Sequence, residues 1–509
     1  MKNLWMRSAV GVVSVLMGLM AGTALGANDF WTNTSASGNF EVGANWSLGV
    51  MPGSADRAVF TNRIPYTVNI AYPVTNTALD IVGGQVTFST PGSNYTFGSL
   101  QITNSLPGKT NELIISGAVT VTVSATAQSY LNNPTKPGAY KLTIQDGAKM
   151  QFGSVNALYL GPNGWSAGAT SIIVVAGAGS ALHAGNAVQM NSDGLNAIYV
   201  TNGGNVKCSS MNLNKQDGNV AYVHRALLTI GGGSTESLVS LFANTLHNNF
   251  AGPNDNTPND KVLVKTGIVR SNTTETILLP NGRLTISTYI ALFPGATLTL
   301  AGGTMELTGL GVGGSANNMR CGGVIRGSGT LNLANATGVL LLGYRHSTDT
   351  SITNFGSISP GMSDAPIGTI VISNAPAGGY LAVSTNCSLN FDLAGTSATD
   401  YDRILATNST VYLGAYASPY TVQGGSIINV ALTNNWKPTT DSTFDVLVAT
   451  NIMDTDLLRV TFNYPTQQVA GFTWSASIIT NTVSAGKTNE VLRITAKGGA
   501  KKGTLITIW

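Results

Sequence analysis

The chain has 509 residues, with 60 glycines, 43% apolar and only 10% charged residues, and a net charge of +3. Charge this sparse would suit disorder, but the apolar residues fall in short Val/Ile/Leu runs whose burial can offset chain entropy. A net charge so small and dispersed excludes a nucleic-acid partner.

In chain order, residues 1–26 have the form of a secretory signal peptide. Lys2 and Arg7 make a positive start, "AVGVVSVLMGLMAG" an apolar centre, and Ala24 and Gly26 stand at −3 and −1 of a cleavage point before Ala27. The apolar run is shorter than the roughly 20 residues a membrane-spanning helix needs, and no later segment could span as a helix. An exported protein, extracellular or at the cell surface in association with an outer membrane, is expected.

Residues 27–105 form a first β-strand unit that is expected to cap the repeats C-terminal to it. Alternation such as "AVTVTVSAT" (Ala118–Thr126) is that of a half-buried strand, and no later window holds a helical period over three turns. Residues 106–345 repeat. "LTIQDGAKMQF", "IVVAGAGSALHA", "IYVTNGGNVKCSS" and "LLTIGGGSTESLVS" each pair an apolar strand with a Gly-centred turn and a second strand. Gly147, Gly177, Gly204 and Gly232 recur at about 27 to 30 residues, and each unit is followed by another apolar strand such as "ALYLG" or "AVQM". "NNFAGPNDNTPNDK" (Asn248–Lys261) is expected to be an excursion from one coil. Residues 346–496 hold further strand repeats, and 497–509 a basic tail and terminal strand. Units this short bury an apolar face only by stacking, which spaces like side chains about 4.8 Å apart. Ser, Thr and Asn tolerate such ladders, whereas like charges repel. The expected fold is all-β, a repetitive β-solenoid of the right-handed parallel β-helix kind. A flattened sandwich is the alternative, and a sandwich-like arrangement is considered for the C-terminal part.

Two segments resemble a known family. "FWTNTSASGNFEVGANWSLGVMPGSADRAVF" carries Trp31, Gly38, Asn45-Trp46, Gly49, Pro52-Gly53, Asp56 and Phe60. "GSISPGMSDAPIGTIVISN" carries Gly356, Ile358, Pro360-Gly361, Ser363, Gly368-Thr369-Ile370 and Ile372, and "SLNFDLAGTSATDYDRILAT" comes next with Asp402-Arg403-Ile404. Together they resemble exported bacterial proteins built from autotransporter-associated β-strand repeats. The resemblance implies a surface or extracellular solenoid, adhesive in role, in which the Ser-Pro-Gly turn is a recurring corner and Ser363 no nucleophile. Unlike true autotransporters, the last hundred residues hold too few alternating strands for a membrane barrel, so secretion through a pore of the chain's own is not expected.

Candidate chemistry is thin. "GLGVGG" (Gly309–Gly314) is not followed by a helix, and "AGKT" (Ala485–Thr488) lacks the upstream glycine of a phosphate loop. His183, His224, His247 and His346 have no metal-binding spacing, and Cys208, Cys321 and Cys387 suit buried single thiols. Asp400 with Asp402, or Asp454 with Asp456, could face calcium but suit solvated turns better. Arg345, His346 and Asp349 in "GYRHSTDT" are the best cluster for a polysaccharide-cleaving enzyme, and Trp165, Trp436 or Trp474 could stack on sugar rings. No catalytic, cofactor-binding or metal-ligating residue is assigned. The expected function is structural or adhesive, without intrinsic catalysis. Carbohydrate binding or a polysaccharide-active β-helix enzyme is the alternative, and extracellular polysaccharide or other surface components are the expected partners.

Overall fold

A computed structural model describes residues 26–498, apart from 90–93, 104–108, 125–127, 132–137, 154–156, 161–168, 191–193, 214–223, 242–245, 249–272, 287–289, 293–294, 308–317, 334–338, 343–355, 374–378, 385, 414–424, 454–456, 466–470 and 485–486. Among the described residues there is no α-helix, and the strands join one continuous stack that is parallel up to its last hairpin. The chain is a parallel β-helix. No helix among the described residues is long and apolar enough to cross a membrane.

Each coil of the regular region contributes three strands. Ala169–Ala176, Ala181–Ala184 and Val188–Met190 sit in register on Ala139–Gln145, Lys149–Phe152 and Leu158–Leu160. They carry Gly194–Thr201, Asn205–Cys208 and Met211–Leu213 on their other side. Alternation turns every second side chain inward, so equivalent residues stack into internal rows. One row runs Tyr66, Val86, Leu113, Leu142, Ile173, Ile198, Leu228, Thr276, Leu298, Ile325, Ile358, Leu389, Ile428, Phe462. All but Phe462 are buried. Each buried aliphatic side chain contributes about 1.5–3 kcal/mol by leaving water. The coils on either side of the excursion "NNFAGPNDNTPNDK" stack directly, Arg225 on Thr273 and Leu246 on Ile290, although all of it after Asn248 lies outside the described residues.

The repeating glycines do two different jobs. Gly147, Gly177 and Gly232 take φ of +85°, +92° and +82°, the left-handed turn conformation that costs glycine least. Gly204 does not. It is required because a Cβ there would lie 2.2 Å from the Val175 carbonyl oxygen of the coil below.

Outward rows are held by polar contacts between coils. Asn463 donates to Asn429, and Asn429 to Asn390, each at 2.7 Å. Where charge occurs in the clusters of Glu112 and Glu275, opposite partners come from other coils, one or two steps along the stack. Glu112 accepts from Gln85 and Thr143 and lies 3.0 Å from Lys141. Glu275 accepts from Arg326 at 2.7 Å and from Thr299 at 3.0 Å. A stacked fold tolerates charge on these terms: like never sits above like in these clusters.

The two ends of the described stack depart from the regular coils. At the first end Trp31 packs edge-on to Trp46 at 5.1 Å and alongside Phe60 at 5.7 Å, and the indole of Trp46 donates to the Phe40 carbonyl at 2.7 Å. The stack reaches Tyr95, whose hydroxyl donates to Asn76 at 2.8 Å. At the other end the parallel stack gives way to an antiparallel hairpin. Phe472–Ser484 pairs with Lys487–Gly498, which lies along the edge of Ser442–Met453.

Candidate functional site

The Ser-Pro-Gly corner borders an open groove. The strand Val324–Asn332 crosses a corner unbroken and serves two faces of the helix, pairing with Ser357–Pro360 on one and Thr369–Ser373 on the next. The succeeding coil cannot simply repeat it. It leaves the stack after Pro360, runs through residues 361–368 and then rejoins. Three glycines make this possible. Gly361 (φ +89°) donates its N–H to the Gly327 carbonyl at 2.9 Å, and Gly327 has φ of +98°. A Cβ on Gly368 would lie 2.3 Å from the Gly361 nitrogen. The detour folds back on itself through paired bonds between Met362 and Ala365, at 2.8 and 3.2 Å.

That loop walls an open groove of about 390 Å³ against the outer face. Arg326, Ser357, Ser359, Asn390 and Asp392 form its polar floor, with Met362, Ser363 and Pro366 along the wall. Arg326 already pairs with Glu275, and its Nε donates to Thr299 at 3.0 Å. The Asn390 carbonyl oxygen is occupied by Asn429, which leaves its amide N–H groups to the groove. Asp392 has no side-chain partner among the described residues, and burial raises its carboxyl above the ordinary value.

Asp402 braces the groove from within. It is buried, and its two oxygens accept the N–H groups of Gly368 at 2.8 Å and Asp392 at 2.9 Å. One carboxyl thereby fixes both the return of the loop and the strand that presents Asp392. Burial pushes its pKa up to about 8 against the opposing pull of the two N–H donors. Asp402 is thus neither a calcium ligand nor a solvated turn carboxylate. Asp400 does sit in a turn, held to Ser397 and Thr399 at 3.3 Å.

The structure does not bring the other sequence candidates together. Trp474 is buried and stacks on Tyr464 and Phe444, so its ring is not free for sugars, and the half-buried Trp436 meets the edge of Phe444. Trp165, the Arg345–His346–Asp349 cluster, Asp454, Asp456 and "GLGVGG" lie outside the described residues. So do Ala485 and Gly486, while Lys487 and Thr488 open the capping strand. His224 and His247 lie on strands of different rows, His224 opposite Gly194 and His247 opposite Asn212. His183 is half-buried beside Lys207 and Lys149, and burial and those charges lower its pKa. Among the described residues no three His, Cys, Asp or Glu side chains converge as for a metal ion. The thiols of Cys208, Cys321 and Cys387 are buried and unpaired by disulfides.

Sequence reasoning missed the groove's floor. Ser359 lies on one coil and Asn390 and Asp392 on the next, and only the stacking register makes them neighbours. It also missed the outward pair Tyr130 and Tyr159, stacked at 5.4 Å on another face. Alternation within "SYL" and "LYL" was the available signal for their direction, but not for their contact.

The molecule is therefore a parallel β-helix with a polar groove at a corner detour. No family model matches the chain, and no curated protein matches it.

Proposed function

We propose that the protein is an exported structural or adhesive component of the cell exterior, acting through its long surface without intrinsic catalysis. The observation that carries this reading is the unbroken internal row from Tyr66 to Phe462, with an aromatic cluster at one end and an antiparallel hairpin at the other. Such a rod offers repeated outer rows of Ser, Thr and Asn, and many weak contacts along it sum to useful affinity. The signal-like residues 1–26 support export, and the resemblance of Gly356–Ile372 to autotransporter-associated repeats supports a place at the surface.

Two measurements test it. Protein recovered outside the cytoplasm should begin at or near Ala27; a chain retained inside with Met1 intact would overturn export. Incubation with a panel of plant and algal polysaccharides should give no cleavage products, and turnover would overturn the non-catalytic reading. A second reading, glycan binding, is favoured by the groove at the Ser-Pro-Gly corner.

A further inference from the structure

We propose that the groove between the 361–368 loop and the outer face is a binding site for one pyranose unit of a neutral glycan, with the glycan chain continuing over the Asn429–Asn463 row. This deepens the glycan reading given above and rests on it.

The ligand class is set by what the groove offers. Its floor provides a carboxyl without a partner on Asp392, amide donors on Asn390, and the hydroxyls of Ser357 and Ser359. Side chains alternate at about 6.6 Å along a strand and recur about 4.8 Å apart between coils, so this grid can meet adjacent hydroxyls of one sugar ring. A carboxylate accepts two hydroxyl protons side by side, and an amide N–H returns a bond to a ring or hydroxyl oxygen. The wall supplies the complementary apolar surface, from Met362 and Pro366, for the C–H face of the ring. A volume of about 390 Å³ lies at the lower end of small-ligand sites and suits a single ring better than a large cofactor.

Other classes fit less well. An anion would meet Asp392, while the cation of the floor, Arg326, is already engaged by Glu275. A divalent metal would find one carboxyl, with no second His, Cys or acidic ligand converging on it among the described residues. The groove is open, so an internal unit of a polymer can enter, and the hydrogen-bonded asparagines Asn429 and Asn463 extend the polar floor across two more coils. Asp402 and Gly368 hold the wall in place without touching the groove's contents, so the floor is preorganised and binding need not order the loop.

The test is glycan-array binding and calorimetry with the full chain, using neutral β-glucan, xylan and mannan oligosaccharides, an alginate oligosaccharide and spermidine as probes. At least one neutral oligosaccharide should bind, more tightly than its monosaccharide. Asp392→Ala and Asn390→Ala should each weaken it at least tenfold, and Ser359→Phe, which fills the floor, should abolish it. Asp392→Asn, which keeps the shape, guards against misfolding and should also weaken binding at least threefold with an unchanged melting temperature. Glycan binding that survives all four changes but is lost in Tyr130→Ala would overturn this site while sparing the glycan reading. Binding of spermidine or alginate alone would overturn the neutral-sugar assignment. No binding to any glycan would overturn the site and the glycan reading together, leaving the structural role standing.

Discussion

Arg493 grips Asp445 with both arms: Nε donates to one carboxylate oxygen at 2.6 Å and Nη2 to the other at 2.9 Å. Asp445 belongs to Ser442–Met453, the strand whose outer edge would otherwise be open, and Arg493 to the antiparallel strand that covers it. A bare edge is a template for another chain. A protein ending at Pro465 is therefore expected to form oligomers or fibres with its strand content largely kept, as seen by light scattering and circular dichroism. Arg493→Ala alone should cost about 1 kcal/mol, since the pair is partly solvated. A truncated chain that stayed monomeric and equally stable would show that the hairpin is no cap.

Thr276 stands among Leu228, Leu298 and Ile325 in the internal row, and its hydroxyl is buried without a hydrogen-bond partner. Valine has nearly the same shape and no polar group to desolvate. Thr276→Val should raise stability by about 1 kcal/mol in chemical denaturation. A loss of stability would mean that the hydroxyl has a partner in solution.

At the corner, Gly327→Ala should do the opposite. The φ of +98° disfavours any Cβ, and one would lie 2.1 Å from the Leu300 carbonyl oxygen. A cost of about 1–3 kcal/mol is expected, together with weaker glycan binding, because Gly327 anchors Gly361 and the loop. Unchanged melting of the variant would contradict the strained corner.

Asp402 makes stability depend on pH. Its folded pKa, about 8, lies above the ordinary carboxyl value, so the unfolded chain releases this proton first as pH rises. Its contribution is fully present at acid pH below the ordinary carboxyl range, declines as pH rises from there, and is gone above about 8. The melting temperature of the protein, measured relative to that of Asp402→Asn, should fall from pH 4.5 to pH 8.5. A difference that is constant across this range would refute the assignment.

The three thiols should be silent. Burial pushes Cys208 and Cys321 up to about 12 and Cys387 to about 11, so almost no thiolate exists at neutral pH. A disulfide-exchange reagent should label none of them in the native protein and all three in denaturant. Rapid labelling of the folded chain would show that one of these coils opens.

What the sequence determined by itself was local and periodic. Alternation in segments such as "ATSIIVVA" specifies a strand with one buried side, and Gly-centred turns at regular spacing specify stacked coils. The reason is that burying one face of a short strand needs nothing beyond a neighbour of the same kind. The buried single cysteines were legible on the same grounds, whereas the corner at Pro360-Gly361 was implied only by the resemblance to autotransporter-associated repeats. Tertiary structure alone decided the rest. Register places Asn390, Asn429 and Asn463 in one hydrogen-bonded row although 34 to 39 residues separate each pair. Asp402 read as a turn carboxylate beside Asp400, yet the N–H groups that claim it come from Gly368 and Asp392. Trp474 could have been a sugar platform, but the hairpin stacks it on Phe444. A side chain's direction is set by its own strand, but its partners are set by the coils above and below, whose offset varies with every loop between them.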